Sequence, residues 1–197
     1  PMALGKIGSP QIRNISTLGG NLVNACPACD SAPALMVYDA TATLQSTDST
    51  RTVPVDEFFQ GPGATVVRPD QILVSVEADV PPTGDLVRFR KYGPRGSNVI
   101  ASANFAARIR IERGEITLAR LAAGSVAPVP VRMRRIEHLL VGRAAAEVSS
   151  SEFLAEISEL LEKEIAPISD VRGTQWYKRR VIELSLIHLM TEVAERG

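Results

Sequence analysis

Apolar and polar residues alternate along several short stretches of this chain, and such alternation predicts β-strands. Residues 42–45 and 50–55 alternate on either side of the polar segment Ser46–Ser49, which predicts a hairpin. Before it, small apolar residues predict a short helix near Ser31–Tyr38, while glycine and proline within residues 1–14 predict loop or turn. The chain is therefore expected to start with irregular structure and short elements.

Four further stretches predict strands. Residues 71–80 alternate, with Ile72, Val74 and Val76 on the predicted core face. The other three predict an antiparallel sheet and follow one another at 86–92, 99–111 and 115–123. A turn at 112–115, which contains glycine, joins the last two.

Helical periodicity dominates the rest of the chain. It predicts helices at 131–141, from the capping segment at 149–152 to 166, and at 174–195. Together with the strands, this indicates an α+β fold in which helices cover one face of the second sheet. The segment Pro81–Gly84 is the predicted linker, because two prolines and a glycine end a strand, and it divides the chain into parts 1–82 and 83–197.

The chain of 197 residues balances 22 lysines and arginines against 22 aspartates and glutamates. It therefore lacks the global positive charge that attracts nucleic acids or anionic membranes. Apolar runs stay well short of the roughly 20 residues that a membrane span requires. We expect a soluble, cytoplasmic protein without a membrane span or a nucleic-acid partner.

One short segment carries the clearest candidate chemistry. Residues Thr17–Asn21, Thr-Leu-Gly-Gly-Asn, place two adjacent glycines between a hydroxyl and an amide side chain, and Asp30 follows. Backbone amides at glycine can approach an anion closely because no Cβ intervenes. A carboxylate can accept hydrogen bonds from ribose hydroxyls. The segment therefore predicts a site for the diphosphate and ribose of a nucleotide cofactor.

The two cysteines of the sequence, Cys26 and Cys29, form a CxxC pair. Two ligands alone cannot complete a four-ligand zinc or iron–sulfur site. A reactive redox pair is one interpretation, and two small residues in a tight segment is the other. His138 and His188 stand alone on predicted helices, so no metal site is predicted.

Three segments together resemble the FAD-binding subunit of the molybdenum hydroxylases, the family that includes xanthine dehydrogenase and carbon monoxide dehydrogenase. The first runs from Ile7 to Pro33 and contains the glycine pair. The second is Arg90–Arg95 with Ile100–Ala101 after it, and the third is Ala123–Arg132 with Glu137 after it. They occur in the family's order and spacing, and the resemblance covers nearly the whole chain.

The resemblance implies the second half of a two-subdomain FAD-binding fold, followed by a three-stranded antiparallel sheet packed with helices. It implies that the loop around the FAD pyrophosphate consists of Thr17, Leu18, Gly19, Gly20 and Asn21. Asp30 would contact the cofactor through its carboxylate, Ile7 would lie beside the ring system and Leu73 would be an apolar contact. Lys91 would stand near the flavin, where a cation favours the negatively charged reduced ring.

By the same resemblance, the chain would be the flavoprotein subunit of a hetero-oligomeric oxidoreductase. Its FAD would accept electrons from 2Fe-2S clusters in a small subunit. Those clusters would receive their electrons from a molybdopterin large subunit. The acceptor would be NAD⁺ or another oxidant such as a quinone. Because the cofactor carries this chemistry, no catalytic residue of the protein is assigned.

The family's subunit begins with a further N-terminal subdomain that holds a first glycine-rich loop, and this sequence starts at the second half. Two alternatives therefore stay open beside the flavoprotein. The chain could be a subunit-interaction module that no longer binds FAD by itself, or a stand-alone CxxC oxidoreductase that uses Cys26 and Cys29.

Overall fold

The computed structural model describes residues 3–93 and 100–197. Short helical elements open the chain: a 3-10 turn at Leu4–Lys6 and the helices α1 (Pro10–Ile15), α2 (Leu18–Val23) and α3 (Ser31–Met36). The predicted start of a strand at Val99 and the Pro94–Arg95 end of the second family segment lie outside the described residues.

The prediction of loop or turn over residues 1–14 is wrong for α1. Ser9 is the N-cap of this helix, and its Oγ accepts a hydrogen bond from the Ile12 amide at 3.3 Å. Pro10 occupies the first helical position, where its missing N–H and fixed φ suit a helix start. Without the Ser9 cap in view, Pro10 is taken as a residue that interrupts regular structure, which is why the helix was not predicted.

The segment Thr17–Asn21 is likewise not a loop, because it forms the N-cap and first turn of α2. The Oγ1 atom of Thr17 accepts from the Gly20 amide at 2.9 Å. Two glycines weaken a helix, but Leu22 is fully buried and anchors α2 in the core. Tertiary packing outweighs the low helix propensity here.

Five strands follow: β1 (Thr41–Gln45), β2 (Thr50–Pro54), β3 (Phe59–Gly61), β4 (Ala64–Thr65) and β5 (Ile72–Glu77). Three of them form an antiparallel sheet in the order β2-β1-β5, while β3 and β4 pair with each other. The pairing of β1 with β2 confirms the predicted hairpin.

The predicted core face of β5 is correct for Val76, which packs against the core, and wrong for Ile72 and Val74. Ile72 and Val74 are 67% and 45% exposed. Leu73, on the opposite face, pairs with Leu44 and packs against the core. The register between β1 and β5 shifts after Thr43, so strict alternation does not hold along the strand.

The second sheet has four antiparallel strands in chain order: β6 (Leu86–Tyr92), β7 (Ala103–Glu112), β8 (Glu115–Gly124) and β9 (Val131–Arg132). The three predicted strands are present, and Arg113 and Gly114 form the predicted turn with φ values of 55° and 80°. The fourth strand was not predicted. Val131 pairs with Ala123 on the sheet edge, so the helix predicted from Val131 begins at Arg134.

Three helices complete the chain: α4 (Arg134–Leu140), α5 (Ser151–Glu164) and α6 (Gln175–Ala194). Ser150 caps α5 by accepting from the Phe153 amide at 3.3 Å. Thr174 caps α6 by accepting from the Tyr177 amide at 3.1 Å. Within the described residues, no helix combines the length and the apolar character needed to cross a bilayer.

The second sheet is buried on both faces, whereas the sequence predicts helices on one face. Phe105 and Leu121 belong to the core that the later helices cover. On the opposite face, Ala106 and Ala122 join the core of the first part, and their small side chains let α3 pack on β7 and β8. Two-sided burial explains why seven consecutive residues from Ala103 are buried. The α+β class is confirmed, while the division at residue 82 stays a prediction.

An ion-pair cluster lies just before β6. The Asp85 side chain is 2% exposed and accepts from Arg108 Nε at 2.7 Å and from Arg110 Nε at 2.8 Å. The hydrogen bond from Arg110 is the main reason that the pKa of Asp85 lies below its ordinary value. The ionised Asp85 carboxylate therefore ties the residue before β6 to the two arginines of β7.

This cluster predicts a specific acid dependence of stability. A depressed folded-state pKa stabilises the protein above the unfolded value of about 3.9, and the contribution is lost as pH falls through the folded pKa. We expect Asp85→Asn to lower the free energy of unfolding at neutral pH by about 1–3 kcal/mol and to flatten its fall in acid. Urea unfolding across the acid range, with exposed Asp79→Asn as control, measures this. Equal acid slopes for both variants would contradict it.

Candidate functional site

The first turn of α2 exposes backbone donors. Thr17 Oγ1 accepts from the Gly20 amide, and the Thr17 carbonyl accepts from the Asn21 amide at 3.1 Å. The amides of Leu18 and Gly19 have no acceptor within the helix, as first-turn geometry requires. Thr17 and Gly20 are exposed, so this turn can be reached from solvent. An anion placed here would meet N–H groups and the positive end of the turn.

Each glycine of this turn has a distinct neighbour. A Cβ on Gly20 would lie 2.9 Å from Thr17 Oγ1 and would crowd the capping hydroxyl. A Cβ on Gly19 would lie 3.5 Å from Leu73 Cδ2, so Leu73 covers this part of α2. The structure therefore brings Leu73 of β5 to the glycine pair.

The side chain of Asn21 faces inward. Its Oδ1 accepts from Ser31 Oγ at 2.6 Å and from the Cys29 thiol at 2.9 Å. These bonds tie the end of the α2 turn to the start of α3, directly beside Asp30. Asn21 is thus placed to fix the α2 turn relative to Asp30, which belongs to a second group of predicted site residues together with Lys91 and Ile7.

That second group is built around a buried ion pair. Lys91 Nζ lies 2.5 Å from Asp30 Oδ2, and the two side chains are 9% and 7% exposed. Lys91 also donates to the Lys6 carbonyl at 2.8 Å, which places its ammonium beside the segment that ends at Ile7. The Ile7 carbonyl accepts from Arg13 Nη1 at 2.8 Å, and Ile7 is half-buried. Residues from distant parts of the chain therefore converge here.

The two cysteines are free thiols in different surroundings. Cys29 is buried, and burial raises the pKa of its thiol despite the opposing effect of its hydrogen bond with Ser31. Cys26 is partly exposed. A raised pKa reduces the thiolate fraction, which is the nucleophilic form. This environment argues against a stand-alone CxxC oxidoreductase.

We therefore expect iodoacetamide to modify native Cys26 at least about tenfold faster than Cys29, because Cys29 is both buried and more weakly acidic. Peptide mass spectrometry after timed alkylation measures both rates in one sample. Unfolding in urea is the control, since it should make the two rates similar. Equal rates in the native protein would contradict the described environment of Cys29.

The available groups fit an anionic, partly aromatic cofactor such as FAD. Free first-turn amides and a hydroxyl suit a diphosphate, and Lys91 supplies the cation of the site. Leu73 and Ile7 supply apolar surface. Within residues 3–93 and 100–197, no three His, Cys, Asp or Glu side chains come together as a metal site. The donor set is therefore compatible with a nucleotide and its diphosphate.

Sequence reasoning missed the residues that hold the predicted ones in place. Asn104 donates to Asp30 Oδ1 at 3.0 Å, Ser31 bonds Asn21, and Arg13 closes the segment at Ile7. One signal was available for Asn104, which is a polar residue inside a run of apolar strand positions. A buried amide needs hydrogen-bond partners, and such a position indicates a fixed polar contact.

Comparisons with known proteins identify the family of the chain. Residues 1–82 match the family model of the FAD binding domain in molybdopterin dehydrogenase. Residues 88–193 match that of the CO dehydrogenase flavoprotein C-terminal domain. The chain is 32% identical to the xanthine dehydrogenase FAD-binding subunit of Escherichia coli O157:H7, over 99% of this chain and 66% of the relative.

Two further similarities come from other members. The glyceraldehyde dehydrogenase medium chain of Sulfolobus acidocaldarius is 31% identical over 95% of this chain and 65% of its own length. The structure of reconstituted CO dehydrogenase from Oligotropha carboxidovorans superposes with a TM-score of 0.87 at 26% identity, covering 98% of this chain and 65% of that one.

The chain thus spans about two thirds of the length of these two curated relatives, at 66% and 65%. The match to the flavoprotein C-terminal domain, over residues 88–193, extends across more than half of it. The chain belongs to the family of FAD-binding subunits of the molybdenum hydroxylases.

Proposed function

We propose that this chain binds FAD and forms the flavin-bearing part of a molybdenum hydroxylase. Its partners are a molybdopterin large subunit and a small subunit with 2Fe-2S clusters. Electrons pass from those clusters through FAD to NAD⁺ or another acceptor. The contact of Lys91 with Asp30 carries this proposal, because it joins a cation of β6 to the segment that also contains the glycine turn and Ile7.

Bound FAD supplies reversible electron acceptance. The chain supplies position and electrostatics. The Leu18 and Gly19 amides donate to the diphosphate, with Thr17 and Asn21 completing and fixing the turn. Leu73, packed on Gly19, gives an apolar contact.

The cation of the site acts on the ring end of the cofactor. A lysine ammonium has three donors, and Asp30 and the Lys6 carbonyl take two of them. The third has no partner among residues 3–93 and 100–197 and is open to a ligand beside Ile7, where a positive charge favours the anionic reduced ring. Asp30 keeps lone pairs beyond the two bonds it accepts from Lys91 and Asn104, and these are the proposed acceptors for a ribose hydroxyl.

Titration of the purified chain with FAD, followed by flavin fluorescence, tests the proposal. The variant to compare is Thr17→Val, which removes the cap of α2, with Thr174→Val as its matched control on α6. Each loses one N-cap and about 1 kcal/mol of stability. We expect saturable FAD binding, weakened at least about tenfold in Thr17→Val and unchanged in Thr174→Val.

Failure of FAD to bind at roughly 100-fold excess over a micromolar chain concentration would reject binding by this chain alone. Co-purification with the large and small subunits, but without flavin, would then favour the interaction module. Equal weakening by both threonine substitutions would reject a cofactor role for the α2 turn.

A further inference from the structure

A buried asparagine on β7, Asn104, contacts the ion pair between Lys91 and Asp30. Asn104 is fully buried, and its Nδ2 donates to Asp30 Oδ1 at 3.0 Å and to the Cys29 carbonyl at 3.3 Å. Lys91 occupies the other oxygen of the same carboxylate, Oδ2. The two donors therefore hold the carboxylate from two sides and fix its rotation.

The orientation of the Asn104 amide is determined by its surroundings. Both atoms near Nδ2 are acceptors, so a reversed amide would place oxygen against oxygen. Its Oδ1 consequently points the other way, where it is buried without a hydrogen-bond partner among the described residues. Leaving an amide oxygen unsatisfied is costly, which indicates that the bonds made by Nδ2 are important at this position.

Gly124 makes this orientation possible. It pairs with Asn104 across β7 and β8, and a Cβ there would lie 2.5 Å from Asn104 Oδ1 and 3.1 Å from the Pro27 carbonyl oxygen. Its φ lies outside the positive range, so the backbone conformation does not require glycine. The glycine is needed for space, which gives a physical role to one position of the third family segment.

We propose that Asn104 is a positioning residue that sets the location of the Lys91 ammonium through Asp30, with Gly124 providing the room. The effect on the cofactor rests on the proposed function, because Lys91 is the cation assigned to the flavin. Without the Nδ2 donor, the carboxylate can rotate, and the ammonium that it holds moves with it. The hold on Lys91 does not require FAD, so it can be measured in the chain without the cofactor.

The test compares Asn104→Leu with Ser125→Ala, which removes another buried hydrogen bond nearby, to the Ala101 carbonyl. The first readout uses the chain without FAD. Timed acetylation of Lys91 by acetic anhydride, followed by peptide mass spectrometry, should be at least about fivefold faster in Asn104→Leu and unchanged in Ser125→Ala. A merely structural loss would accelerate both.

The second readout is the midpoint potential of FAD bound to each variant. We expect a more negative potential in Asn104→Leu, because a displaced cation stabilises the reduced ring less, and no shift in Ser125→Ala. Gly124→Ala is the second variant, since its Cβ pushes the amide aside, and it should change both readouts in the same direction. It keeps the test decisive if Asn104→Leu does not fold.

The outcomes separate this inference from the proposed function. An unchanged Lys91 acetylation rate in the folded variants overturns the positioning role, whatever FAD does. A faster rate with an unchanged potential supports the hold on Lys91 and overturns its influence on the flavin. Loss of FAD binding in the unaltered chain rejects the proposed function, and the acetylation rates still decide the role of Asn104.

Discussion

Replacing Glu137 by alanine is expected to lower the free energy of unfolding by about 3–5 kcal/mol, because it leaves a buried guanidinium without its main partner. The Glu137 carboxylate bonds Arg132 Nε and Nη2, each at 2.7 Å, and the two side chains are 4% and 5% exposed. Oε1 also accepts from the Leu121 amide at 2.7 Å. Alanine would thus remove two bonds to the buried guanidinium and leave the Leu121 amide without its acceptor.

The effect should extend beyond α4, because Arg132 also reaches the first part of the chain. Its Nη1 donates to the carbonyl of Met36, the last residue of α3, at 3.1 Å and to Asp39 Oδ1 just after the helix at 2.9 Å. Urea unfolding at neutral pH measures the loss, with exposed Glu159→Ala as control. Glu137→Gln, which keeps one acceptor, should lose less. A loss below about 1 kcal/mol for Glu137→Ala would contradict the assigned network.

Replacing Lys91 by methionine is expected to cost a comparable amount, about 3–5 kcal/mol, because it leaves the Asp30 carboxylate buried without a counter-charge. Methionine keeps much of the side-chain volume, so the change mainly removes charge. The double variant Lys91→Met/Asp30→Asn should recover part of the loss, because it removes the uncompensated carboxylate as well. The expected coupling free energy between the two positions is at least about 1 kcal/mol.

Chemical denaturation of the two single variants and the double variant measures this cycle, and exposed Lys163→Met controls for the loss of a lysine. FAD titration of Lys91→Met adds a functional readout, for which weaker binding is expected. Additive losses in the cycle would show that Lys91 and Asp30 do not interact as described.

Much of the fold could be predicted from the sequence, because it depends on local signals. Alternation located β1, β2 and β5 of the first sheet and β6, β7 and β8 of the second, and the capping segment 149–152 and Thr174 marked the starts of the last two helices. The failures occurred where distant residues decide the outcome. β9 forms because Val131 meets Ala123 across the sheet, and a window of neighbouring residues does not contain that contact.

In the candidate site, too, residues in local motifs could be predicted, whereas contacts between distant residues could not. The glycine pair, Asp30 and Lys91 belong to motifs with a recognisable order along the chain. Asn104 and Gly124 face each other on neighbouring strands, and their relation depends on the register of β7 and β8. The helical state of Thr17–Asn21 was missed because the threonine cap and the burial of Leu22 outweigh the glycines.

The doubly covered second sheet bears on how the chain matures during translation. Helix α3 finds its packing surface at Ala106 and Ala122, which leave the ribosome long after α3 itself. Before β7 and β8 have been synthesised, the apolar side of α3 around Met36 cannot pack against that sheet. During synthesis, α3 therefore lacks the cover of the second sheet until β8 is complete.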